Sequence, residues 1–342
     1  MTQVTFDELR SRLAAVLNAA GLAPEDAELC ARIHAESTRD GVVSHGIGRI
    51  PRFVDYLNKG WVDPAARLSL VQRLGALEVF DGHFGIGVRH ALDATERAME
   101  LASEHGMGLV AVRNTTHWMR GGSYGWHAVE RGFAAIMWTN TESCMPAWGA
   151  ASQSIGNNPL VMAVPAEQGP MVLDMAMSQF SYGKLNSLAL AGESLPVDGG
   201  FDQAGQLSRD PGAIAESRRL LPAGYWKGSG LAMLLDVMAA LLSQGNPTHH
   251  IDTLGRGSGG GASQVFLVFD PRKLAGLEAC NALVEGLAGH LADAVPVDAV
   301  PVDAGRPPRW PGQSTGNRRH ADNDSLLDVP DDLWQAVLAL PR

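Results

Sequence analysis

The chain has 342 residues, 45% of them hydrophobic and 19% charged, with 39 glycines and 19 prolines. That composition buries a large core and excludes a disordered chain, and the many glycines and prolines point to short elements joined by tight turns, as in an α/β enzyme. A formal net charge of −10 with 27 scattered Lys and Arg argues against a nucleic-acid partner, but leaves small anions open, because one or two arginines can hold a carboxylate.

Along the chain, Thr5 and Glu8 form a capping-box pattern ahead of Leu9, Leu13, Val16, Leu17 and Ala20, which fall on one helical face before Gly21. A second helix is expected from Pro24 to about residue 39, with Glu25 and Asp26 in its first turn. The loop of residues 41–49 follows, then a short helix over 51–58 carrying Phe53, Val54 and Leu57. Gly82, Gly85 and Gly87 precede an amphipathic stretch that runs to Glu104 and stops at Gly106.

Short apolar runs at 109–112, 133–138, 160–164, 171–175 and 265–269 are candidate strands, and helices are expected over 123–130 and 230–242. The Pro- and Val-rich segment 294–308 reads as an extended connection and 331–340 as a terminal helix. The expected architecture is α/β, a mixed sheet layered with helices plus a helical N-terminal unit. Its expected divisions are residues 1–75, an α/β domain over 76–314 and a C-terminal helical segment over 315–342 that packs on the N-terminal unit. No basic stretch followed by an apolar run opens the chain, no segment nears the length of a membrane span, and Cys30, Cys144 and Cys280 make no CxxC pair. A soluble, cytoplasmic protein with no membrane partner is expected.

Several familiar patterns fail on context. Gly255-Arg256-Gly257-Ser258-Gly259-Gly260 matches GxGxxG, yet it precedes a strand-like run instead of opening a helix, so it reads as a mobile glycine loop on the surface. GxSxG occurs at Gly121 and at Gly312 without the strand-to-helix turn of a hydrolase elbow. Cys30 and His34, one helical turn apart, have no second ligand pair; a core Cys and a partly exposed His are expected, and no metal site.

Three clusters could carry chemistry. In Ser44-His45-Gly46-Ile47-Gly48-Arg49, a guanidinium four residues from an imidazole could hold a carboxylate while the imidazole reaches an adjacent carbonyl; a loop histidine can also serve only to bond a turn. Asn114-Thr115-Thr116-His117-Trp118-Met119-Arg120 follows a strand, where His117 either faces a cleft or packs under Trp118, and Arg120 lies beside glycines. Asp174 sits in the apolar run Met171-Val172-Leu173-Asp174-Met175-Ala176, at a polar site or capping the next turn, and Lys227 opens a helix beside Trp226, where it could meet a phosphate or lie over the ring.

Taken in order, Ser44-His45-Gly46 with Arg49, residues 114–117, the Asp174 run and Trp226-Lys227-Gly228-Ser229-Gly230 resemble the malate/L-lactate dehydrogenase family that lacks the Rossmann fold. The stretches 117–126, 180–183, 195–202 and 224–230 are similar to members that reduce sugar-derived 2-keto acids. The resemblance implies a homodimer using NAD in preference to NADP, with a cofactor groove near the subunit interface and hydride passing to the C2 carbonyl of a small keto acid. It makes His45 the proton donor and puts Arg49 and His117 in the substrate pocket, with His117 taking the acid/base role in some relatives; Arg120 is a further substrate-binding candidate. Cofactor contacts are implied for Pro170, Met171, Val172, Leu173, Asp174, Met175 and Ala176, for Trp226 and Lys227, and for Gly312, Gln313 and Ser314, although relatives tend to be acidic where this chain has Gln313-Ser314. Alternative substrates are malate, lactate, ureidoglycolate, sulfolactate or a cyclic imino acid. From other classes, a non-catalytic sugar-acid binder would keep Arg49 without needing His45, and a metal-dependent hydrolase or lyase would use the histidines.

Overall fold

Thr5 caps α1 (Phe6–Ala19), its side chain accepting the Glu8 N–H at 3.1 Å, and the face of Leu9, Leu13, Val16 and Leu17 is buried. Pro24 lies in the first turn of α2 (Pro24–Arg39), which packs along α1. With Phe53 and Val54 of α3 (Ile50–Asn58) they enclose one core that also takes in Trp334 and Val337 of the C-terminal helix Asp331–Leu338. The two chain ends are tied together: the strand Thr2–Val4 pairs antiparallel with Leu327–Val329, and Arg12 donates to the carbonyls of Val337, Leu338 and Leu340. Carbonyls in and just beyond the last turn of a helix run out of intrahelical donors, and the guanidinium supplies them here. This computed structural model describes residues 1–294, 308–320 and 326–342, so most of the extended connection expected over 294–308 lies outside the described residues.

The main sheet has seven strands: β1 (Ser69–Leu74), β2 (Leu77–Asp81), β3 (Met107–Thr115), β4 (Ala134–Thr139), β5 (Leu160–Val164), β6 (Met171–Met175) and β7 (Ala262–Phe269). Their order is β1-β2-β3-β7-β4-β5-β6, and only β2 and β3 run parallel, joined by the crossover helix α4 (Gly87–His105). A doubly wound dinucleotide fold needs successive parallel crossovers, so this sheet is of another kind. Alternate residues of β3 serve opposite faces: Val110 and Val112 pack with Ala91, Ala94 and Ala98 of α4 and Tyr124 of α5 (Gly122–Val129). Ala111 packs on the other side with Ala232, Leu235 and Ala239 of α6 (Trp226–Ser243).

The structure lengthens several expected strands and adds elements with no sequence signal, including the β1–β2 hairpin, the helices Tyr182–Ala191 and Leu277–Ala292, and a small sheet of two-residue strands around Gly200–Phe201. It also corrects one expectation. α6 has 18 residues and a mean hydropathy of 1.2, enough by length and composition alone to cross a membrane. In the fold it is a layer helix, one face against the sheet and the other, with Leu234, Val237 and Leu241, exposed.

Register decides where polar residues gather. Ala262 of β7 lies opposite Thr115, Gln264 opposite Thr139, Leu160 opposite Trp138 and also opposite Met175. The loops leaving β3, β4 and β6 and those entering β5 and β7 therefore share one end of the sheet, which the N-terminal unit covers.

Candidate active site

Helix α2 holds the first cluster from beneath. His34 is fully buried, not partly exposed as expected, and its Nδ1 lies 3.2 Å from the His45 carbonyl and 3.1 Å from that of Gly46. Facing two acceptors, Nδ1 carries the proton and donates. Thr38 Oγ1 donates to the His34 carbonyl and accepts the Ile47 N–H, both at 2.9 Å. A side chain at Gly46 would stand 2.2 Å from that hydroxyl, so only glycine lets the loop sit this close to the helix. His45 Nδ1 is 3.1 Å from Ser44 Oγ; Arg49 donates to Ser258 Oγ at 2.8 Å, and the Tyr56 hydroxyl lies 3.0 Å from the same oxygen. Gly257 to Gly259 form a short 3-10 turn, so the glycine run expected to be an idle surface loop instead roofs Arg49.

The second cluster meets the first. His117 Nδ1 accepts the Met119 N–H at 2.8 Å, which leaves Nε2 with the ring's proton. That contact needs Met119 at φ 65, a left-handed conformation uncommon for a residue with a side chain. The His45 and His117 rings are 5.8 Å apart, centre to centre. Arg120 borders the same space, but its Nη1 is 2.5 Å from Asp40 Oδ2, an oxygen that also binds Arg319 at 3.0 Å. Asp174 Oδ2 accepts the Gly122 N–H at 2.9 Å and lies 3.7 Å from Arg120 Nε. Arg49, by contrast, has no carboxylate within 4 Å among the described residues, so its guanidinium can take one from a ligand.

Burial pushes the His45 imidazole down to about 3, helped by the positive charges of Arg49, His34 and Arg120. Burial, followed by Arg49 and His45, holds His117 well below the usual imidazole range. Burial also brings Arg49 down to about 10, with Arg52 adding to it. Asp174 is raised by burial against the pull of Arg120. The site thus holds two neutral imidazoles beside a guanidinium with no ion pair among the described residues.

Two cavities, of about 430 and 910 Å³, meet at His45 and His117. The smaller has apolar walls from Trp126, Pro159, Val172 and Leu173, polar groups from Thr139, Asn140 and Asn157, and the backbone of Gly121 and Gly312. Of the β6 residues expected near a cofactor, Val172, Leu173 and Asp174, with Ala176 just beyond, line it; Pro170, Met171 and Met175 do not. Gly312 lines it with Pro311 and Thr315, anchored by the Val172 N–H on the Pro311 carbonyl at 3.0 Å, whereas Gln313 and Ser314 lie off it. Trp226 and Lys227 are outside both cavities, Trp226 being 64% exposed at the start of α6.

The larger cavity is lined by Arg49, Arg52, Glu142 and residues of the helix Tyr182–Ala191. Glu142 and Ser258 are site residues that the sequence did not single out. Among the described residues no group of three His, Cys, Asp or Glu could hold a metal ion.

Residues 4–338 match the sequence pattern of the malate/L-lactate dehydrogenase family. The 2,3-diketo-L-gulonate reductase of Salmonella heidelberg (strain SL476) is 43% identical over 344 residues, 99% of this chain and 100% of the relative. That of Citrobacter koseri is 42% identical over 339 residues with the same coverage. Among solved structures, a dehydrogenase from Sinorhizobium meliloti superposes with a TM-score of 0.85 at 28% identity, over 99% of this chain and 98% of that one. Malate dehydrogenase from Entamoeba histolytica shares the fold with a TM-score of 0.90 at 23% identity, over 99% and 97%. The chain belongs to the malate/L-lactate dehydrogenase family of oxidoreductases.

Proposed function

We propose that the chain reduces the C2 carbonyl of a sugar-derived 2-keto acid, with 2,3-diketo-L-gulonate the substrate to test first, using NADH in preference to NADPH. The observation that carries this reading is the meeting of His45, His117 and Arg49 where an apolar-walled cavity joins a polar one. The substrate class is supported by full-length relatives named for it.

A nicotinamide ring asks for a flat slot with apolar walls and polar groups for its carboxamide, and a volume of about 430 Å³ is in the range that holds a small ligand or the reactive half of a dinucleotide. The smaller cavity fits: Val172, Leu173 and Pro159 would flank the ring, with Asn140 and Asn157 in reach of its amide. Bound there, the cofactor supplies the hydride. Arg49 grips the C1 carboxylate with its forked donors, which keeps the neighbouring carbonyl within reach of the two imidazoles. His45 Nδ1 faces Ser44, and Nε2, without a protein partner among the described residues, passes a proton to the C2 oxygen as it becomes an alkoxide. In the opposite direction the same imidazole, in its neutral form, takes that proton back. His117 Nε2–H donates a second hydrogen bond to the same region.

The exposed apolar face of α6, with Leu231, Leu234, Val237, Met238 and Leu241, supports a homodimer formed through this helix, and Trp226 and Lys227 at its start would then lie at the interface. We further propose a cytoplasmic location, in keeping with three unpaired cysteines. Ligand-dependent oxidation of NADH tests the activity; binding of sugar acids without any turnover would favour the non-catalytic binder instead.

A further inference from the structure

Glu142 stands at the junction of the two cavities and lines both. Its backbone is fixed on either side: the Thr141 N–H donates to Asn158 Oδ1 at 3.0 Å, and Ser143 donates to Asp252 through its N–H at 2.8 Å and its hydroxyl at 2.7 Å. Its carboxylate has no ion-pair partner within 4 Å and no side-chain hydrogen bond among the described residues, although Arg49 and Arg52 are close enough to be felt. Burial raises its pKa above the ordinary carboxylate value in spite of those two arginines. Its own backbone N–H serves one side of that carboxylate, and among the described residues no other residue's side chain donates to it, so its remaining lone pairs, partly dehydrated, are open to donors that a ligand brings.

The larger cavity, beyond the imidazoles as seen from the apolar slot, tells what kind of donor fits. Its wall mixes acceptors and donors: Glu142, the guanidinium of Arg52, the amide of Asn186 and the hydroxyl of Ser44, with Asp332 at the exposed rim. An alkyl tail would offer nothing to Glu142 or Arg52. An ammonium tail would suit Glu142 but would meet Arg49 and Arg52 as like charges. Hydroxyls both donate and accept, so a row of them can serve Glu142 and Arg52 together.

We propose that Glu142 is the residue that selects a hydroxylated tail: its carboxylate accepts hydrogen bonds from hydroxyls three to five carbons beyond the acid group, seated in the larger cavity beside Arg52. The proposal rests on the reductase reading for its substrate, and the test separates the two. In the full-length protein, the ratio of kcat/KM for 2,3-diketo-L-gulonate to that for pyruvate is expected to fall roughly ten- to hundredfold in Glu142→Ala and less in Glu142→Gln, the range for losing hydrogen bonds to a charged group. A ratio within twofold of the parent overturns the proposal. Calorimetric binding of L-gulonate and of lactate asks the same question without turnover: Glu142→Ala is expected to weaken L-gulonate selectively. Equal weakening of both ligands, or of neither, overturns the proposal; selective weakening in a protein that reduces no keto acid would leave the tail site standing and remove the reductase reading.

Discussion

Closing the site on a carboxylate should draw in a proton, and the size of the effect can be worked from the charges around His45. With its pKa near 3, the imidazole is protonated in roughly one molecule in ten thousand at neutral pH, so the imidazolium that would act as acid is scarce until the charges around it change. The largest charge acting against it is Arg49, the group expected to take the substrate carboxylate. A negative charge about 4–5 Å away at an effective dielectric constant near 20 contributes ~3–4 kcal/mol, equivalent to about two to three pKa units. That lifts His45 into the range of roughly 5 to 6 in the complex.

The complex then holds more protons than the free protein, so affinity rises as pH falls from about 7 toward 5. Calorimetry of L-gulonate with NADH, a pair between which no hydride can pass, in buffers of different ionisation enthalpy reads the uptake directly. We expect about half a proton near pH 5.5, fading toward zero by pH 8, and its loss in His45→Gln. No uptake anywhere in that range, or uptake that survives in His45→Gln, would refute the reasoning.

Replacing His45 by Ala should lower kcat by roughly two to four decades while cofactor affinity, read by fluorescence titration, stays within a few-fold. Arg49→Lys should raise the KM for the keto acid, because a point charge replaces a fork that now also bonds Ser258; an unaltered KM would put the carboxylate elsewhere. Asp40→Asn removes the buried anion that pairs both Arg120 and Arg319, and should cost ~3–5 kcal/mol in denaturant unfolding. If the proposed dimer forms through α6, Leu234→Glu on its exposed face should yield a monomer in sedimentation where the parent is dimeric; a variant that stays dimeric would place the interface on another surface, and a monomeric parent would remove the dimer.

What could be read from the sequence follows the reach of local patterns. Helices α1, α2 and α4 declared themselves through caps and a segregated apolar face, and the inner strands through short apolar runs, because those signals lie within a dozen residues. Leu277–Ala292 had no segregated face: Leu283 and Leu287 are exposed and only Val284 is buried, so periodicity said nothing. Strands of two residues, such as Gly200–Phe201, are too short to alternate.

In the site, His45 and Arg49 were legible because one loop carries both, and Asp174 because an acid stood alone in an apolar run. Ser258 and Glu142 were not, since each becomes part of the site only when β7 and β4 pair in register. The glycine run at 255–260 is only in part the surface loop it reads as: Gly255 and Gly257 take positive φ in open space, whereas Gly259 lies against Trp61, 2.7 Å from where a side chain would stand. Arg120 is expected from the sequence among the substrate-binding residues, and only the fold reveals that Asp40, eighty residues earlier in the chain, already holds it.

Oxidation of NADH by the purified protein in the presence of 2,3-diketo-L-gulonate, set against oxaloacetate, pyruvate and a cyclic imino acid, bears most directly on the account. The expected result is turnover of the sugar-derived acid with a kcat/KM above those of the other three, lowered by roughly two to four decades in His45→Ala. No turnover of any 2-keto acid with either reduced cofactor, or undiminished turnover without His45, would contradict it.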